Sequence, residues 1–139
     1  TLGPGSFLII GVDLVKDIAK LMSAYDDKLG ITAAFNLNIL TRINYELAAT
    51  FEPDLFRHKV IYNNELSRIE MHLESRKKHD VIVDNLHFNF DNGETIHTEN
   101  SHKYTIDKFI QLANDGGFSI LDVLSDSNKL FSVHILQVS

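Results

Sequence analysis

Phe7-Leu8-Ile9-Ile10-Gly11 is a continuous apolar run. It is directly followed by Val12 and Asp13, and Gly3-Pro4-Gly5-Ser6 stand before it. A run this short with no polar alternation predicts a buried strand, apolar on both faces, of the kind found inside an α/β sheet. Asp13 then admits two readings. It can cap a following helix that carries Leu14, Ile18 and Leu21 on one face. It also stands at the C-terminal edge of what would be a parallel strand, where open α/β sheets bind ligands. A strand buried on both faces needs neighbours, and a pair near the other end of the chain supplies only some of them. The remaining partners are expected upstream of Thr1, so the chain reads as part of something longer. The stretch Thr1 to Ser6 is expected to be a turn.

Beyond that strand the periodicity changes twice. Ala33, Leu37, Leu40, Ile43 and Leu47 recur at helical spacing and predict a helix over 32–49, closed by Glu52-Pro53-Asp54. In 67–75 the period becomes two, with Ile69, Met71 and Leu73 on one side and Glu70, His72 and Glu74 on the other. Strands follow at 81–83 and 86–90 around Asp84-Asn85. Asp91-Asn92-Gly93 then carries hairpin chemistry into 94–99. This middle block reads as an antiparallel sheet inserted between helical regions. Thr105 caps a helix that buries Ile106, Phe109, Ile110 and Ala113 and stops at Asp115-Gly116-Gly117. Two strands at 118–124 and 130–138, joined by a polar turn at 125–128, end the chain.

Composition removes several classes of function. The 139 residues are 44% hydrophobic, enough for a packed core, and include no cysteine, so disulfides and thiolate chemistry are out. This agrees with a cytoplasmic location. No apolar run approaches the roughly 20 residues of a membrane span, and no basic segment precedes the first apolar stretch. A formal charge of −6 with scattered basic residues disfavours nucleic acid. Neither a glycine-rich dinucleotide loop nor a Walker motif nor a serine elbow is present. The seven histidines invite a metal site, and His97, Glu99 and His102 form the densest group. On a strand, however, His97 and Glu99 share one face while His102 points to the other, so no metal is expected. His58, His79 and His87 read as solvated, and His134 as part of the last strand. Met71 reads as core and Glu99 as a solvated carboxylate with the chemistry to bind an imidazole or ammonium.

Three groups of segments add a resemblance. Leu8 to Asp17 is similar to a strand and helix entry found late in the histidine-specific, S-adenosyl-L-methionine-dependent methyltransferases. Ala24-Tyr25-Asp26-Asp27 with 30–38 resembles that family's next characteristic stretch. Arg68 to Leu73 and Gly93 to Tyr104 complete the set, in order across nearly the whole chain. The resemblance implies the C-terminal part of a class I, Rossmann-like methyltransferase sheet with an inserted antiparallel α+β substrate-recognition domain. Residues 1–31 and 104–139 would belong to the core, and 32–103 to the insertion.

The resemblance further implies a small-molecule amino-acid substrate, most simply histidine methylated on its α-amine as in ergothioneine biosynthesis, with S-adenosyl-L-methionine as methyl donor. Tyr25 would hold the substrate carboxylate, Met71 would line the side-chain pocket, and Glu99 and Ser101 would contact the imidazole. The donor site is expected upstream of Thr1, which leaves the isolated chain catalytically silent. Another amine substrate within the family, or a non-catalytic binding or assembly module, are the competing readings. An exposed sheet edge is expected to favour pairing with a second copy.

Overall fold

The computed structural model describes residues 3–139. The chain is a mixed α/β fold whose described residues form three sheets, divided between two compact units. Residues 3–17, 65–67 and 102–139 build one unit, and the middle (18–64 and 68–101) builds the other.

In the first unit, strand β1 (Phe7–Asp13) is antiparallel to the terminal strand, with Ile10 opposite His134. That terminal strand runs Phe131–Val138 and lies between β1 and the strand Phe118–Ser125, which it pairs antiparallel. β1 is therefore an edge strand among the described residues. Phe7 and Ile9 remain 63% and 69% exposed, whereas the other face joins a core of Val12, Leu14 and Phe109. The ring of Phe131 lies over Gly11, and a Cβ there would stand 2.6 Å from it and displace that half-exposed ring. The helix Ile106–Asp115 closes over this core. The Thr105 hydroxyl accepts from the Lys108 amide at its start, and Gly117 at φ 82° follows its end. The opening turn is seen at Gly3–Ser6, where the Ser6 amide donates to the Gly3 carbonyl; Thr1 and Leu2 lie outside the described residues.

The middle unit begins with α1 (Ile18–Tyr25) and α2 (Ile31–Leu47). Asp27 makes the start of α2: its carboxylate accepts the amides of Thr32 and Ile31 at 2.8 and 3.1 Å, and these bonds hold its pKa down at about 2. Strands β2 (Phe56–Asn63), β3 (Arg68–Ser75), β4 (His79–Val83), β5 (Leu86–Phe90) and β6 (Thr95–His102) follow. They form one sheet in the order β2-β3-β6 and a separate β4-β5 hairpin. The hairpin turns at Asp84 and Asn85, both at positive φ, as a two-residue turn of primed type requires. Leu40 of α2 packs on Phe56 and Leu73 with Phe51, Phe90 and Ile96 around them. β3 is buried almost throughout because its charged face is covered as well. Glu74 pairs with Lys59 at 2.7 Å and Arg57 at 2.5 Å, while Glu70 pairs with Arg68 at 2.7 Å.

Three expectations are corrected. Asp13 caps no helix, because α1 starts only at Ile18 and Leu14 instead bridges to Tyr104. The Asp91–Gly93 turn does not close a β5-β6 hairpin: β5 pairs with β4, and β6 crosses to β3. β1 is not a parallel strand among the described residues: it runs antiparallel to the terminal strand, so Asp13 does not end a parallel pair there.

Candidate functional site

Tyr25 is the last residue of α1, and its carbonyl is among those a helix end leaves without an intrahelical partner. Its phenol reaches Ser101 on β6, with the two oxygens 2.6 Å apart although 76 residues separate them in sequence. Ile96 and Thr98 are half-buried in alternation with exposed His97 and Glu99, but Asn100 is exposed and Ser101 is half-buried. Ser101 is the half-buried one because Tyr25 covers it, and Glu99 is exposed like His97.

Met71 lies on the neighbouring β3, and the Thr98 hydroxyl donates to its carbonyl at 2.9 Å. Its side chain is 3% exposed and shares the apolar face of β3 with Ile69 and Leu73. The four residues singled out in the sequence thus gather on α1, β3 and β6 of the middle unit. Tyr25 and Ser101 touch; Glu99 stands on the opposite face from Met71.

That opposite face carries a group not anticipated from the sequence. Glu70, His72 and His97 bring a donor atom each to within 4.8 Å of one another. Geometry argues against a shared metal ion. The imidazoles of His72 and His97 are stacked, 4.4 Å between centroids and 19° between planes, so their in-plane lone pairs run side by side rather than converging. The Arg68 guanidinium and the Asn63 amide occupy Glu70 and hold its pKa down at about 2. The spacing Glu70-x-His72 on an alternating strand was the available signal; the arrival of His97 from β6 was not.

Three histidines depart from or refine the expectation. His58 is half-buried and bonded through both ring nitrogens. His79 meets the Phe56 ring edge-on at 5.1 Å, so it too is not simply solvated. His134, on the terminal strand as expected, is fully buried against Phe109, and burial lowers its pKa.

In the other unit, Asp13 is an ion-pair centre. Lys16 and Lys103 each take one of its carboxylate oxygens, the latter at 2.9 Å with its side chain wholly buried. Burial opposes ionisation of Asp13, but the two ammonium groups outweigh it and the pKa is lowered. The same unit has an open groove of about 390 Å³ lined in part by Glu65, His102, Lys103 and Lys108, and none of the four candidate residues lies in it. Nor do the described residues form a cradle for a nucleoside sulfonium. β1 leads to α1 through Leu14-Val15-Lys16-Asp17 without a glycine, and the space beside Gly11 is filled by Phe131.

Comparison with known proteins gives the class and then the family. Residues 1–138 match the model of a methyltransferase family. The chain belongs to that family, the histidine-specific, SAM-dependent methyltransferases. It is 44% identical over 119 residues to histidine N-alpha-methyltransferase of Mycolicibacterium smegmatis, covering 84% of this chain and 37% of that protein. It is 47% identical over 103 residues to the protein of the same name from Mycobacterium tuberculosis, covering 73% and 32%. Ergothioneine biosynthesis protein 1 of Schizosaccharomyces pombe is 24% identical over 130 residues, covering 93% and 17%. The chain therefore spans about a third of the length of the two mycobacterial relatives. No helix among the described residues is long and apolar enough to cross a membrane.

Proposed function

We propose that the whole protein transfers a methyl group from S-adenosyl-L-methionine to the α-amine of histidine, and that this chain supplies residues that recognise the amino acid. The donor is assigned to parts of the protein outside residues 3–139, since the residues described here do not fit it. In this reading the unit built from both ends belongs to a class I, Rossmann-like methyltransferase sheet, and the middle unit is the substrate-recognition insertion.

The observation that carries the proposal is the Tyr25–Ser101 contact at 2.6 Å, which joins two residues assigned to the substrate from distant segments. In this reading the phenol O–H of Tyr25 donates to the substrate carboxylate, a charge-assisted bond, with Ser101 beside it. In the same reading Glu99, exposed on β6, accepts an imidazole N–H, and Met71, buried on the opposite face, supports the strand from the core side rather than touching the ring. Transfer from a sulfonium demands chiefly a neutral amine held in line with the methyl, so positioning of this kind is the contribution required.

Calorimetric titration of the full-length protein with histidine tests the assignment. Tyr25→Phe and Glu99→Ala should each weaken binding about tenfold or more, the loss of a hydrogen bond to a charged group. Unchanged affinity in both variants would remove these residues from the site.

A further inference from the structure

His58 lies on β2 on the same face as Phe56 and Val60, under the end of α1. Its Nε2 is 2.8 Å from the Tyr25 carbonyl, and its Nδ1 is 3.0 Å from Nδ2 of Asn36 on α2. The same Nδ2 donates to the carbonyl of His72 at 3.2 Å. Backbone carbonyls only accept, so both ends of this chain of bonds are fixed in polarity. Nδ2 must be the donor toward His72, which orients the Asn36 amide. Its second hydrogen then points at Nδ1, which must accept, and the ring proton is left on Nε2 for Tyr25. The polarity selects the tautomer with its proton on Nε2.

We infer that His58, set by Asn36, is a positioning residue for Tyr25 and so for substrate affinity; the inference rests on the reading that Tyr25 meets the substrate carboxylate. His58 holds Tyr25 at the carbonyl, and Ser101 meets it at the hydroxyl. With the backbone of the last helical residue fixed, the phenol reaches its place from a defined origin, and the entropy of ordering it is lost before substrate arrives. Asn36 is 0% exposed and its Oδ1 has no hydrogen-bond partner. A buried amide that leaves one atom unsatisfied is destabilising relative to an apolar residue, so the fold alone does not account for it.

The test is a double-mutant cycle on histidine affinity in the full-length protein, read by calorimetry. His58→Leu should weaken binding about tenfold, and His58→Gln, which keeps a donor for the Tyr25 carbonyl, should recover most of that. In a Tyr25→Phe background, His58→Leu should add less than about twofold. An equal loss in both backgrounds would make His58 merely structural, and no loss from His58→Leu where Tyr25→Phe does weaken binding would end the inference while leaving the site reading standing. If Tyr25→Phe alone has no effect, the site reading falls and this inference with it. Long-range ¹H–¹⁵N correlation on the unsubstituted protein tests the tautomer separately: Nε2 protonated supports the network, and Nδ1 protonated overturns it.

Discussion

Replacing Asp13 by alanine should destabilise the protein by about 2–3 kcal/mol, and a second change, Lys103→Met, should restore part of that. The Lys103 side chain has no exposed surface, and its ammonium lies 2.9 Å from Oδ2 of Asp13. Removing one partner of a buried ion pair costs about 3–5 kcal/mol, because the other charge stays in a poorly solvated place. Asp13 itself is 32% exposed, so water can enter the space it leaves, and the lower figure applies. Methionine at 103 fills similar volume without a charge, so the double variant should be more stable than Asp13→Ala alone. Urea denaturation followed by circular dichroism measures all three proteins, with the midpoint compared at constant slope. A loss under about 0.5 kcal/mol for Asp13→Ala, or a double variant less stable than the single, would refute the reasoning.

Leu73→Ala, at a fully buried position packed on Leu40 and Phe56, should cost about 3 kcal/mol, read from the urea midpoint. Asp27 has a folded pKa of about 2 against an ordinary 3.8, so its contribution is present above that ordinary value and lost as pH falls between the two. Asp27→Asn should therefore lose less stability than the unsubstituted protein across this window, and parallel curves would contradict the cap. Zinc titration should reveal no saturable binding that His97→Ala removes, because the His72 and His97 rings are stacked. Tight binding abolished by that change would reverse the assignment of this face.

Much of the fold was readable because its strands carry plain patterns. Ile69, Met71 and Leu73 alternate with polar partners, and the terminal strands are apolar runs bounded by turns. β2 was missed because Arg57, His58 and Lys59 break the apolar signal. Their reason for being there is Glu74 on the neighbouring strand and the carbonyl of Tyr25, neither visible from spacing. The Asp91–Gly93 turn misled because turn chemistry says where a chain reverses, not which strand it joins; Ile96 is drawn to the core around Leu73 instead. Of the site, Met71 was legible as core. The Tyr25–Ser101 contact was not readable from pattern, because the residues stand 76 positions apart on a helix end and a strand.

We propose that the complete protein methylates the α-amine of histidine. Incubation of the full-length protein with S-adenosyl-L-methionine and histidine, followed by mass spectrometry of the amino acid, tests it most directly. The account predicts histidine bearing added methyl groups on the α-nitrogen. Methylation confined to a ring nitrogen, or S-adenosyl-L-methionine bound and histidine left unmodified, would contradict it.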